Sequence, residues 1–199
     1  ATAANNSGNI LLTTASDLTV NGSVSSQAGN LSLIAAGNVS IAGAITVKSQ
    51  GAGKSLEVEA SGGTVTMAST SALQTANGAV RVLATGNVTL GQIVAGAGAG
   101  AVVGVFSGAA ISDADADGGS QAINVQAAAV RMYSATGIGS TTNAIELDSG
   151  SLAARTATSG GIYLGEFDGT TVGTVPVVSI NRVSSAGGTA ASTDVSGVN

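Results

Sequence analysis

The sequence predicts an all-β fold, a parallel β-solenoid of about 7–8 coils, from three observations. Short apolar–any–apolar triplets return at near-constant spacing, Gly- and Asn-rich turn phrases stand between them, and the composition suits a narrow aliphatic core. The 199 residues are 44% hydrophobic but only 2% aromatic and 9% charged, with 30 Gly and one Pro.

A first set of triplets begins at Ile10, Leu31, Leu56, Val80, Val103, Ile123, Ile145 and Ile162, each first residue 17 to 25 positions after the last. A second set follows seven to nine residues later, at Leu18-Thr19-Val20, Val39-Ser40-Ile41, Val65-Thr66-Met67, Val88-Thr89-Leu90 and Val130-Arg131-Met132. A weaker third set contains Val24, Ile45-Thr46-Val47, Leu73 and Ile93. The period within a triplet is two, so each is a short strand with one buried face. β-Branched Val, Ile and Thr suit such strands, and the Gly-Asn, Ser-Gly and Asp-Gly clusters supply turns. An antiparallel sandwich would also use short strands, but like residues recurring at like positions favour stacked coils. Equivalent residues then lie about 4.8 Å apart along the axis. The middle residues (Leu11, Ser32, Glu57, Arg81, Gly104) point outward, and Glu57 and Arg81 pair there as a surface ion pair worth about 0–1 kcal/mol.

The expected organisation is a leader over 1–9, a solenoid over 10–182 with an irregular stretch at 91–120, and a tail over 183–199 that reads as a linker or the start of a further coil. The leader and the tail show no cap, so further repeats or other copies are expected to stack axially on the coils.

Absent residues exclude whole chemistries. With no Cys there is no disulfide framework or thiolate metal site, and with no His there is no imidazole base or ligand. Six Lys+Arg against eleven Asp+Glu leave no electrostatic footprint for nucleic acid. Gly51-Ala-Gly-Lys-Ser55 imitates the end of a phosphate loop, but Lys48 stands where the first glycine belongs. The uncharged run Ile93–Ile111 has the length of a membrane span; its glycines and flanking strands make it a small-residue coil instead, and no membrane span is expected. Glu57/Glu59, Glu146/Asp148 and Glu166/Asp168 are carboxylate pairs without a predicted cleft between them, so no catalytic residue is assigned and the chain is read as no enzyme. Asn-x-Ser/Thr at Asn5, Asn21, Asn30, Asn38 and Asn87 reads first as turn chemistry beside glycine and second as a set of glycosylation acceptors.

Asp113, Asp115 and Asp117, followed by Gly118, have the oxygen spacing of the first half of a calcium loop. Asn124 stands where that loop would end in Glu. The two readings are a calcium site and a solvated acidic bulge; no cofactor is required by either. Thr19, Thr66 and Thr89 share one outward position, a weak signal for binding a repeating surface such as a glycan or ice, with Ser40 and Arg131 as interruptions.

The recurring Gly-Asn-x-x-Leu and Ala-Gly-Asn-Val-Ser-Ile phrases, and the series Gly137–Asp148, Ser151–Arg155, Ser159–Gly165 and Asp168–Val172, resemble the repeats of filamentous-haemagglutinin-like bacterial adhesins across roughly residues 8–182. The resemblance implies a right-handed β-helix in a long fibre, secreted across the outer membrane of a Gram-negative cell and displayed at its surface. Its implied role is attachment, aggregation or biofilm cohesion, with a glycan or other surface receptor as partner. The alternative is a self-polymerising structural filament with no receptor.

Overall fold

The computed structural model describes residues 5–6, 8–116 and 122–193, and every regular element among them is a strand. Parallel strands stack into a β-solenoid of about seven turns. Each turn contributes to three ladders. The first ladder pairs Ile10–Thr14, Leu31–Ala35, Leu56–Ala60, Val80–Ala84 and Val102–Ser107 in succession, all parallel. The second stacks Leu18–Val20, Val39–Ile41, Val65–Met67, Val88–Leu90, Ala110–Asp113 and Gly137–Ile138. The third runs through Val24–Ser26, Thr46–Ala52, Ala72–Ala76 and Gln92–Gly96. Inward residues of all three form one continuous aliphatic column from Ile10 to Leu152.

Beyond Val103 the register departs from the sequence reading. Val103 pairs with Val130, not Ile123, and Val130 with Leu152. Val125 and Leu147 instead continue the third ladder from Ile93. The cause is local. In earlier turns a loop separates the third-ladder strand from the first-ladder strand, as at 97–101. In the strands Val125–Ser134 and Ile145–Thr156 that loop is gone, and one strand serves both ladders. Two triplets then lie head to tail, at the same offset that elsewhere separates the first set from the second. Within 91–120 the candidate span Ile93–Ile111 falls into the strands Gln92–Gly96, Val102–Ser107 and Ala110–Asp113, with a register shift between Val94 and Gly96. No helix among the described residues is long and apolar enough to cross a membrane.

Corners are set by stacked asparagines. Asn9 Oδ1 accepts from Asn30 N (2.9 Å), and Asn30 Oδ1 in turn from Ser55 N (2.9 Å). Asn38 Oδ1 does the same for Thr64 N (2.9 Å), and Asn87 Oδ1 for Ala110 N (3.1 Å). Each satisfies a backbone donor that the turn leaves without a ladder partner. Asn77 adopts a left-handed conformation (φ 58°), which Asn tolerates, and its Oδ1 accepts from Gly98 N (2.9 Å).

The tail is neither linker nor further coil over its described part. After Leu164–Glu166 and Thr171–Val172 complete the last rung, the chain leaves the solenoid. Residues 175–193 run back along the outside of the first ladder toward its first turn and end in an antiparallel hairpin, Ser179–Val183 with Thr189–Thr193. Val175 sits by Phe106 and Ala153, Val183 N bonds Ser32 Oγ (3.0 Å), and Gly187 O accepts from Asn9 Nδ2 (3.0 Å).

Candidate functional site

The strap formed by 175–193 turns the outer face of the first ladder into an interface. Glu57 (1% exposed) and Arg81 (2%) stack on adjacent rungs as expected, but they lie buried beneath the strap. Arg182 enters from above: its Nε lies 3.0 Å from Glu57 Oε2, its Nη2 lies 2.6 Å from Glu57 Oε1, and it also pairs with Glu59. Arg81 Nη2 bonds Glu57 Oε1, and its Nη1 donates to Thr193 O (2.7 Å). The hydrogen bonds from Arg182 to Glu57 hold its guanidinium pKa above the usual arginine value. The surface ion pair of the sequence reading is therefore corrected to a four-residue network in which Glu57 and Arg81 are buried and Arg182 and Glu59 reach the rim. The signal missed was Arg182 itself, which has no partner in its own stretch of sequence.

Of the predicted calcium residues, Asp117 lies outside the described residues. Asp113 takes an inward position opposite Leu90. Its Oδ1 accepts from Asn124 Nδ2 (2.6 Å) and from Asp115 N (3.0 Å), while Asp115 Oδ1 caps Ala116 N (3.0 Å). Burial pushes the Asp113 carboxyl above the ordinary carboxylate range, against the pull of those hydrogen bonds.

A different acidic group is brought together by stacking. Leu147 pairs with Glu166, and this gathers Asp148, Glu166 and Asp168 with carboxylate oxygens within 4.8 Å of one another. Oxygen donors of this kind suit a hard cation such as calcium. Glu166 is meanwhile held by Ser149 N (2.9 Å), and Asp148 by Gln126 Nε2 (2.7 Å). Beside it is a cleft of about 240 Å³ lined by Ile123, Glu146, Leu147, Gly165, Glu166 and Phe167, whose ring is 78% exposed. The sequence showed these acids as two separate pairs, because only rung pairing joins them.

The corrected register also changes the second ladder. Its outward centre reads Thr19, Ser40, Thr66, Thr89, Ser112, with Ser112 where Arg131 was expected. Hydroxyls thus run along this face without a charged interruption, and Thr89 and Ser112 hydrogen-bond at 3.2 Å. Of the asparagine sequons, Asn30 is buried and Asn30, Asn38 and Asn87 spend their side-chain oxygens on corner bonds, in line with the turn reading.

No family model, curated protein or solved structure matches this chain.

Proposed function

We propose that this chain is a segment of an extracellular adhesin shaft, displayed on or secreted from a bacterial cell, that mediates attachment, aggregation or biofilm cohesion. The observation that carries this reading is the unbroken aliphatic column from Ile10 to Leu152, built on parallel ladders that share one axis. Such a rod resists bending and carries load through many backbone hydrogen bonds in series. It holds weak sites at fixed spacing, and avidity supplies the strength. The reading is non-catalytic: Glu57 and Glu59 are neutralised by arginines, and Glu166 and Asp148 are held by neutral donors. Beads coated with the chain should attach to surfaces or to one another more steeply than coating density rises, with weak competition from soluble chain. Beads that neither attach nor clump at any density would count against an adhesin. Long filaments of purified chain in electron micrographs would favour the alternative, a self-polymerising structural subunit.

A second reading is favoured by the continuous hydroxyl ladder of the second face, which matches a ligand repeating at the rung spacing, such as a polysaccharide. Binding to a panel of insoluble glycans, lost in Thr66→Arg, is the corresponding test.

A further inference from the structure

The strap is held as a ligand is held. Its hairpin pairs only with itself and shares no backbone ladder with the solenoid. Instead, side chains of the solenoid address its backbone. Arg131 Nη1 donates to Val175 O (3.0 Å), Asn181 N donates to Ser55 Oγ (2.8 Å), Val183 N to Ser32 Oγ, and Arg81 Nη1 to Thr193 O. One side chain supplies charge selectivity, Arg182 in the acidic seat of Glu57 and Glu59. Val175, Val178, Ile180 and Val183 turn their side chains inward and are buried. Gly104 leaves the space this needs: a Cβ there would come within 2.9 Å of Val178 Cγ2 and 2.6 Å of the Phe106 ring.

We propose that this face is a docking surface for an extended, arginine-bearing segment, and that its second occupant is the strap of another copy of this chain. Two solenoids lying side by side would exchange straps. Several features on this face select a second copy over an unrelated partner. The seat of two carboxylates and Arg81 reaches neutrality only with one further cation, which Arg182 provides. Exchange reproduces each of these contacts without new chemistry. The connection to the last rung is exposed at Gly173-Thr174; Gly173 N stays bonded to Leu152 O (2.9 Å), so the strap can swing from Thr174 onward without disturbing the rung. Exchange of an identical element is a low-barrier route to association once such a connection opens. The resulting bond is lateral, between shafts, and is distinct from axial stacking of coils.

The chain has no cysteine, which makes the test direct. Ala52→Cys, exposed at the corner three residues from Ser55, and Asn181→Cys, exposed on the strap, are mixed as single variants at rising concentration, incubated, and joined with a flexible bis-maleimide. Exchange gives a cross-linked heterodimer that increases with concentration, exceeds by severalfold the product of Asn181→Cys with Thr19→Cys on the uncovered face, and is lost when Arg182→Glu is added. The double variant Ala52→Cys/Asn181→Cys at high dilution should close within one chain, since Asn181 N lies 2.8 Å from Ser55 Oγ. Closure of the double variant with heterodimer no greater than the Thr19→Cys control would overturn the exchange. Failure of the double variant to close would overturn the docking surface itself.

Discussion

The outward faces of the first and second ladders begin from the same pattern and end in different environments. In both, the middle residue of each triplet points away from the aliphatic column. On the second face Thr19 and Thr66 remain exposed. On the first, Ser32, Glu57, Arg81 and Arg131 are as buried as the core, because residues 175–193 lie over them. Side-chain direction is thus a local property of a strand. Burial of an outward side chain is decided by whatever covers it, here a segment 125 residues distant.

The largest expected effect separates the two faces at once. Arg81→Ala leaves Glu57 buried with one of its two cations gone, a change that typically costs about 3–5 kcal/mol. The matched change on the second face, Thr89→Ala, should stay within about 0.5 kcal/mol. Paired denaturant melts measure both, and similar losses would mean that the strap does not seal the first face. Next in size is Arg182→Ala. Its side chain is 32% exposed, so solvent takes up part of the charge it abandons, and a loss of about 1–3 kcal/mol is expected. Loss of the strap in this variant should also make Arg81 reactive to guanidine-directed reagents, read by mass spectrometry.

Much of the fold was legible because solenoid physics is periodic. The columns from Ile10 to Val103 and from Leu18 to Val88 follow from spacing alone, as does the stacking of Glu57 on Arg81. Legibility failed where a turn changed length. When the loop before Ala129 vanished, the triplets starting at Ile123 and Val130 kept the familiar offset while changing ladders, and counting could not detect it. It failed again at the strap, since Val175, Arg182 and Thr193 are placed by contacts with distant rungs and carry no periodic mark. The gathering of Asp148 with Glu166 and Asp168 was hidden for the same reason as the register slip. Asp113 was singled out by its spacing to Asp115, but its burial opposite Leu90 required the corrected second ladder.

That residue supplies a smaller effect, one that a bare face would not show. Burial raises the Asp113 pKa, so the folded chain holds this proton to higher pH than the unfolded chain does. The sign follows from linkage: stability attached to Asp113 is fully present below the unfolded carboxylate pKa and is lost as pH rises through the higher folded value. Asp113→Asn should therefore be mildly stabilising at neutral pH, while an amide oxygen still accepts from Asn124 and Asp115. Melts of both proteins from acid to neutral pH should converge at the acid end. A mutant that is less stable at neutral pH would show instead that the charged form is favoured in the fold.

The smallest effect is the most discriminating between the faces. Thr66 sits at the centre of the uncovered ladder, between Ser40 and Thr89, with its side chain in water. A long cation there meets no strap and no buried charge, so Thr66→Arg should change stability by no more than about 0.5 kcal/mol. The equivalent substitution on the first face, Ser32→Arg, places a guanidinium beneath the hairpin where Ser32 Oγ accepts from Val183 N. There the arginine must either stay buried without a carboxylate of its own or displace the strap. Stability then falls by several kcal/mol, or the hairpin detaches and its amides lose hydrogen-exchange protection while the ladder amides keep theirs. The two arginines differ only in which face they stand on. If Thr66→Arg proved as damaging as Ser32→Arg, the second face would have to be covered too, by some element placed against the hydroxyl ladder.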